Sequence, residues 1–464
     1  MKKYVFVFLI AFLSSCATYY KRNIEFNQYF QQGNLDRASL ALEKDKKADE
    51  RKTRLLYFLN RGVVAFMQGN FAESNQFFEQ AYNYTEDNQS NVVDQFASFL
   101  TNPNITDYKA EDHEALYINY YKALNYFYMG DYNAALVECK RMNIRLAAQA
   151  DKYKNAKRFQ HDAFIHVLMG IIYDTQHDYN NAFIAYRNAY EIYKNDYATL
   201  FNMAVPEQLK LDILRSAYLM GFSSDVTFYE KEFGMKYIHE KLDNSGDLVF
   251  LWHNGLSPVK AEWSINFAVN KGSGGQVIFA NEEMGLNFPF AISNQDYESK
   301  GLGDLSFLRI AFPKYEERPL VYHKGIVSAN GQSRQLGLVE DINEVAKKGL
   351  EDRMRLEVGK SLLRLAMKKA AEKMARSQNE GVGALVGMVN AITEKADTRN
   401  WQTLPHSIYY TRLKLPAGQQ KVTLETKGQR SNTFTFDLNI LKNQVLVKSF
   451  STTDFVPTQY TSGY

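Results

Sequence analysis

The chain has 464 residues, with 55 Lys and Arg against 52 Asp and Glu for a formal charge of +3, 45% hydrophobic residues and two cysteines. At about 100–200 residues per domain, this length predicts two or three domains with ample material for a core. A charged fraction of 23% and an aromatic fraction of 14% exclude a disordered, collagen-like or purely coiled-coil chain. The near-neutral balance argues against a dedicated nucleic-acid binder, and two cysteines build neither a disulfide framework nor a four-cysteine zinc site.

At the N-terminus, Lys2 and Lys3 precede an apolar stretch over residues 4–13. It is too short for the roughly twenty residues that span a bilayer and suits a signal sequence. The stretch ends in Leu13-Ser14-Ser15-Cys16, which resembles the lipobox of bacterial lipoproteins. The resemblance implies a signal peptide over residues 1–15, diacylation of the Cys16 thiol with palmitate-type chains, cleavage before Cys16 and acylation of the new amine. Three chains at about 0.8 kcal/mol per buried CH₂ make a stable anchor. The plainer alternative is a secretory signal with an incidental cysteine. Cleavage would remove two of the three excess positive charges. Ala17 is not the Asp associated with inner-membrane retention, so the expected address is the outer membrane, facing the periplasm. Cys139 is then the lone thiol, read as a buried hydrophobe.

Residues 16–235 carry internal self-similarity. Gly170-Ile171-Ile172-Tyr173, Asp178-Tyr179, Ala182, Tyr186 and Ala189 recur in outline at Ala123, Tyr126, Asp131-Tyr132, Ala135 and Cys139, again at Gly62, Ala65, Asn70-Phe71, Phe78 and Ala81, and more weakly at Phe26, Tyr29, Asn34-Leu35, Ala38 and Leu42. This pattern of small residues and interleaved aromatics resembles tetratricopeptide repeats over residues 20–195. The turn residues Asn34, Asn70, Asp131 and Asp178 lie 36, 61 and 47 residues apart, so insertions interrupt a 34-residue period. A helix from Pro206 to about Met220 is expected to cap the array.

In such arrays the inner helices line a concave groove. The resemblance carries Tyr117, Tyr120, Phe127 and Tyr128 of the third repeat and Phe164, Val167, Ile171 and Asp174 of the fourth onto it. Two readings stand: a groove that accepts a protein or peptide partner, or packing against inserted segments or the C-terminal half.

From about residue 236 the texture becomes β-rich. Strands are predicted at 247–253, 261–270, 276–280 and 305–312, with Gly272-Ser273-Gly274-Gly275 as a hairpin loop that lacks the Lys-Ser/Thr of a phosphate cradle. A helical insert is expected over about 339–396, with Ile342, Val345, Gly349, Leu356, Leu363, Met367, Ala370 and Met374 forming one apolar stripe. Within it, Gly381–Met388 places Gly383 and Gly387 at a spacing that permits close helix approach but is too short to span a bilayer. Strands return at 407–415, 421–425, 433–438 and 445–450. Asp397, Arg399 and Trp401, in a run leading to Arg412-Leu413-Lys414-Leu415-Pro416, resemble a segment of uncharacterised bacterial lipoproteins that join tetratricopeptide repeats to a C-terminal module. These three are read either as an ion pair and anchor at the helix-to-strand junction or as a recognition site.

Chemistry is sparse. His113-Glu114 and His239-Glu240 begin like a zincin motif but lack the second His. No Gly-x-Ser-x-Gly elbow occurs. Glu262, Glu282, Glu283 and Asp304 are candidates for an acid/base pair of a glycan hydrolase. The expected fold is α+β, an all-α tetratricopeptide-like solenoid followed by a β-rich domain with a helical insert. The expected function is a lipid-anchored, non-catalytic envelope adaptor without metal or cofactor, which binds a protein partner. An envelope hydrolase acting on peptidoglycan or exported glycan is the alternative.

Overall fold

The computed structural model describes residues 23–44, 52–88, 107–153, 161–272, 276–291 without Met284, 307–351 and 397–456, with Ala48 and Leu362 besides. The lipobox with Cys16, Asp304, the glycine-rich run at 381–389 and all of 352–396 but Leu362 lie outside the described residues.

The first half is an array of five helical hairpins: α1 (Ile24–Gln31) with α2 (Leu35–Glu43), α3 (Arg54–Met67) with α4 (Phe71–Asp87), α5 (Asp112–Tyr128) with α6 (Tyr132–Tyr153), α7 (Ala163–Thr175) with α8 (Tyr179–Ile192), and α9 (Glu207–Leu219) with α10 (Ser223–Phe233). The expected capping helix is therefore the first arm of a fifth hairpin. A π-helical turn, Tyr193–Tyr197, prolongs α8.

Local sequence dictates the turns. In the first four hairpins the residue opening the second helix closes the turn with a backbone bond back five positions, as in Asn34 N–H to Tyr29 O and Asp178 N–H to Tyr173 O, at 2.9 and 3.0 Å. The side chains of Asn34, Asp131 and Asp178 then accept from backbone N–H groups of the following turn, at 3.3, 3.0 and 3.1 Å, satisfying donors that a helix start leaves open. The preceding residue is left-handed each time. Gly33, Gly69 and Gly130 take it without strain, whereas in the fourth hairpin His177 does so with φ +60° at some steric cost.

Packing within hairpins follows a fixed offset of 16 residues. Gly62 faces Phe78 and Gly170 faces Tyr186, so closely that a Cβ on either glycine would collide with the ring. The same positions in the third hairpin hold Ala123 and Cys139, both fully buried. One member grows where the other shrinks, which conserves volume at native packing density. Burial also raises the Cys139 thiol pKa, so it serves as a small apolar residue.

Among the described residues the second half holds three four-stranded sheets. The first, in the order β12-β1-β9-β8, combines β12 (Val445–Thr452), β1 (Ser245–Asn254), β9 (Ser407–Pro416) and β8 (Gly337–Asp341). The second, β11-β10-β6-β7, combines β11 (Asn432–Ile440), β10 (Gly418–Gly428), β6 (Tyr322–Ala329) and β7 (Gln332–Gln335). The third, β4-β3-β2-β5, combines β4 (Leu286–Ala291), β3 (Gln276–Asn281), β2 (Val259–Gly272) and β5 (Phe307–Glu316). β1 is central to the first sheet, parallel to β12 and antiparallel to β9. Its alternate residues divide between two cores: Leu248, Phe250 and Trp252 pack with the second sheet, while Val249 and Leu251 join the core of the helical array. The molecule is thus layered as helices, sheet and sheet.

The structure corrects the expected helix start. Val339 lies in β8, paired with β9, and the helix begins at 342. A short apolar run reads alike as strand or helix until a partner strand is known.

Matched volume at the 16-residue offset makes a prediction. Cys139→Phe alone overpacks the third hairpin and costs about 1–3 kcal/mol in urea denaturation, whereas the Ala123→Gly, Cys139→Phe double variant recovers most of that loss. Additive losses would show that the two positions do not share one volume.

Candidate functional site: a charged cleft where array meets sheet

All eight candidate groove residues lie on the array's inner helices, and the chain's own sheet covers them. Tyr117, Tyr120, Phe127, Phe164, Val167, Ile171 and Asp174 are buried and Tyr128 half-buried. The Tyr120 hydroxyl lies 2.7 Å from His253 Nε2 in β1. The Tyr128 hydroxyl donates to Ser449 Oγ in β12 at 2.8 Å and accepts from the Ser449 backbone N–H at 3.0 Å. Tyr120 and Tyr128 thereby pack against the C-terminal half.

Every hairpin contributes a polar contact to this junction. Thr453 Oγ1 donates to the Gln31 carbonyl at 3.1 Å, and Thr403 Oγ1 to Asn60 Oδ1 at 3.0 Å. Lys260 Nζ reaches Glu111 Oε1 at 2.5 Å. The Trp401 backbone N–H donates to Glu114 Oε1 at 2.6 Å while its ring rests 5.9 Å from those of Phe78 and Tyr121. Asp397 and Arg399 form a two-bond ion pair, at 2.9 and 2.7 Å, next to this anchored tryptophan.

Burial perturbs the acids held here. Glu114 is raised to about 7 by desolvation and the nearby Glu111. Glu340, which accepts from the Tyr197 hydroxyl at 2.8 Å, is raised well above the carboxylate range by desolvation and by Asp162. Asp162 itself rises to about 6 through desolvation. Burial thus favours the protonated form of both members of this pair.

At the last two hairpins the junction opens into a cleft of about 720 Å³. Arg412 of β9 is its pivot. Its Nε donates to Asp212 Oδ1 at 2.8 Å, and its Nη2 to Asp174 Oδ2 at 2.7 Å and to the Tyr186 hydroxyl at 3.3 Å. Its backbone N–H donates to Gln208 Oε1 at 3.1 Å. Arg215 of α9 also donates to Asp174 Oδ2. Burial pushes Asp174 up, yet two guanidinium groups hold it below its ordinary value. Asp212 hydrogen-bonds only one of them, and desolvation leaves it raised. Asp247 of β1 completes the cluster loosely, its Oδ2 being 3.7 Å from Nη1 of both arginines. His177, the strained turn residue, also lines the cleft.

Of the carboxylates proposed for hydrolysis, the three described do not gather in a buried cleft. Glu262, Glu282 and Glu283 are exposed. From the pairing of Ala268 with Ala280, Glu262 and Glu282 stand about 13 Å apart along the sheet at 3.3 Å per residue. Among the described residues no group of three His, Cys, Asp or Glu side chains is placed to hold a metal ion, and no helix is long and apolar enough to cross a membrane.

No protein-family model matches the chain, and no curated protein matches it. Solved structures similar to the helical half include BtubC from P. vanneervenii, 11% identical with a TM-score of 0.32 over 48% of this chain and 84% of that one. MamA is 13% identical with a TM-score of 0.29, over 46% and 88% of the respective chains. A tetratricopeptide repeat protein from Parabacteroides merdae is 12% identical with a TM-score of 0.21, over 47% and 80%. The repeat assignment rests on the hairpins themselves, with their common turn bond and 16-residue packing offset.

Two outcomes follow from the junction. Arg412→Met leaves Asp174 and Asp212 buried without their shared cation, so urea denaturation should show a loss of about 3–5 kcal/mol; Arg412→Lys should restore little, because one ammonium cannot reproduce the fork. Glu114, raised in the folded state, stabilises the fold most below pH 4.5 and progressively less as pH rises toward 7. The stability of Glu114→Gln relative to the parent should therefore increase by about 3 kcal/mol between those pH values, and a pH-independent difference would refute the assignment.

Proposed function

We propose that the chain is a lipid-anchored scaffold of the cell envelope that binds a protein partner and does no chemistry of its own. Anchoring rests on Leu13-Ser14-Ser15-Cys16, with the outer membrane as the address. The observation that carries the scaffold reading is the closed junction: the inner face of the array holds the chain's own C-terminal half through contacts from every described hairpin. The array acts as a rigid frame, and the partner surface lies outside the groove. We assign it to the open end of the array, where Tyr218, Leu219, Met220, Phe228 and Ile238 are exposed, Ile238 at 81%. Exposed apolar side chains on the last hairpin and the segment that follows it fit an interaction surface.

Cys16→Ser should abolish palmitate labelling and move the chain from the membrane to the soluble fraction. In crosslinking from native envelopes, Phe228→Ser with Ile238→Ser should lose a stoichiometric partner that the parent captures, with the melting temperature unchanged. Membrane retention of the serine variant would count against the anchor, and absence of any stoichiometric partner would count against the scaffold.

A further inference from the structure

The charged cleft has more hydrogen-bond donors than its own carboxylates satisfy. Arg412 is almost wholly buried, yet its Nη1 has no hydrogen-bond partner, and neither does Arg215 Nε. Buried donors are rarely left unpaired, and a guanidinium left so is costly. Facing both Nη1 atoms, Asp247 Oδ2 stays at 3.7 Å from each, beyond hydrogen-bond reach, on a side chain that is 17% exposed. Asp174 Oδ2 and Asp212 Oδ1 already bond to the arginines, and Asp174 Oδ1, itself buried without a partner, makes no bond to Arg412 Nη1. Lys414 also lines the cleft and makes no ion pair among the described residues, while Leu211, Leu219 and Ile238 give it an apolar wall. The volume of about 720 Å³ lies in the range of small-molecule and short-peptide sites.

We infer that the cleft binds an organic carboxylate: its carboxylate bonds the unpaired Arg412 Nη1 and Arg215 Nε, and its apolar body lies against Leu211, Leu219 and Ile238. Planar guanidinium groups pair with a carboxylate in two bonds where geometry allows. The acid is supplied either by a peptide C-terminus or by a free aliphatic acid, which present the same chemistry. The inference rests on the cleft's geometry and is independent of the anchor; its apolar wall shares Leu219 and Ile238 with the assigned partner surface, and the Asp247 and Lys414 variants, which lie outside that surface, separate the two.

Titration calorimetry on the full-length chain tests it with N-acetyl-Ala-Leu, the corresponding carboxamide, 4-methylpentanoate and inorganic phosphate. At least one acid should bind ten or more times tighter than both the carboxamide and phosphate, and the tighter of the two acids identifies the source. Asp247→Asn, which removes the competing charge, should strengthen that acid several-fold. Lys414→Gln should weaken it two- to threefold, and Arg215→Gln at least tenfold. Equal affinity for acid and carboxamide, phosphate binding as tightly as the acids, or an unchanged affinity in Asp247→Asn would each overturn the proposal. The Asp247 and Lys414 variants leave the Arg412–Asp174–Asp212 bonds in place, so the result stands even if Arg215→Gln fails to fold.

Discussion

A strand buried on both faces requires two apolar partners, and β1 imposes that requirement on the whole molecule. Its alternate residues enter the helical core on one side and the sheet-on-sheet core on the other. Neither neighbour can be removed without exposing a continuous apolar surface, at about 25 cal/mol per Å². The array closes around the sheet because its inner helices are apolar and because the sheet offers the complementary face.

Apolar matching alone would not fix where the sheet sits. The directional contacts do so, one set per hairpin, from Gln31 and Asn60 through Glu114 and Tyr120 to Asp174 and Asp212. Each buries a polar group that is tolerated only when its partner is in register. A sheet shifted along the groove would strand several at once, including the carboxylates beside Arg412. The buried ion pairs need add little net stability over apolar substitutes, since desolvation offsets much of their attraction. We read their role here as selecting one docking position.

What the sequence displayed was local. Turn residues Asn34, Asp131 and Asp178, the small-to-aromatic pattern of Gly62 with Phe78 and Gly170 with Tyr186, and the β-type runs of β1 and β9 each follow from short-range rules of capping, volume and residue preference. The eight inner-face residues were legible as a face, but not what covers it. Arg412 meets Asp174 across 238 residues of chain, and no spacing rule connects them. Short strands such as β7 and β8 exist only through pairing, which is why Val339 read as helical. The cleft went unseen because its lining comes from both helices and strands, none with a motif of its own; the αL position of His177, where the other turns carry glycine, was the one irregularity near it.

The parallel pairing of β12 with β1 also has a kinetic meaning. β1 sits at residues 245–254, yet its neighbours β9 and β12 begin at 407 and 445. As the chain is made or translocated from its N-terminus, the inner face of the array is complete long before the strands that cover it exist. Closing such distant pairings is slow, and the uncovered apolar surface is open to aggregation meanwhile. The frame has to wait, bare on its inner side, for nearly the last strand to arrive.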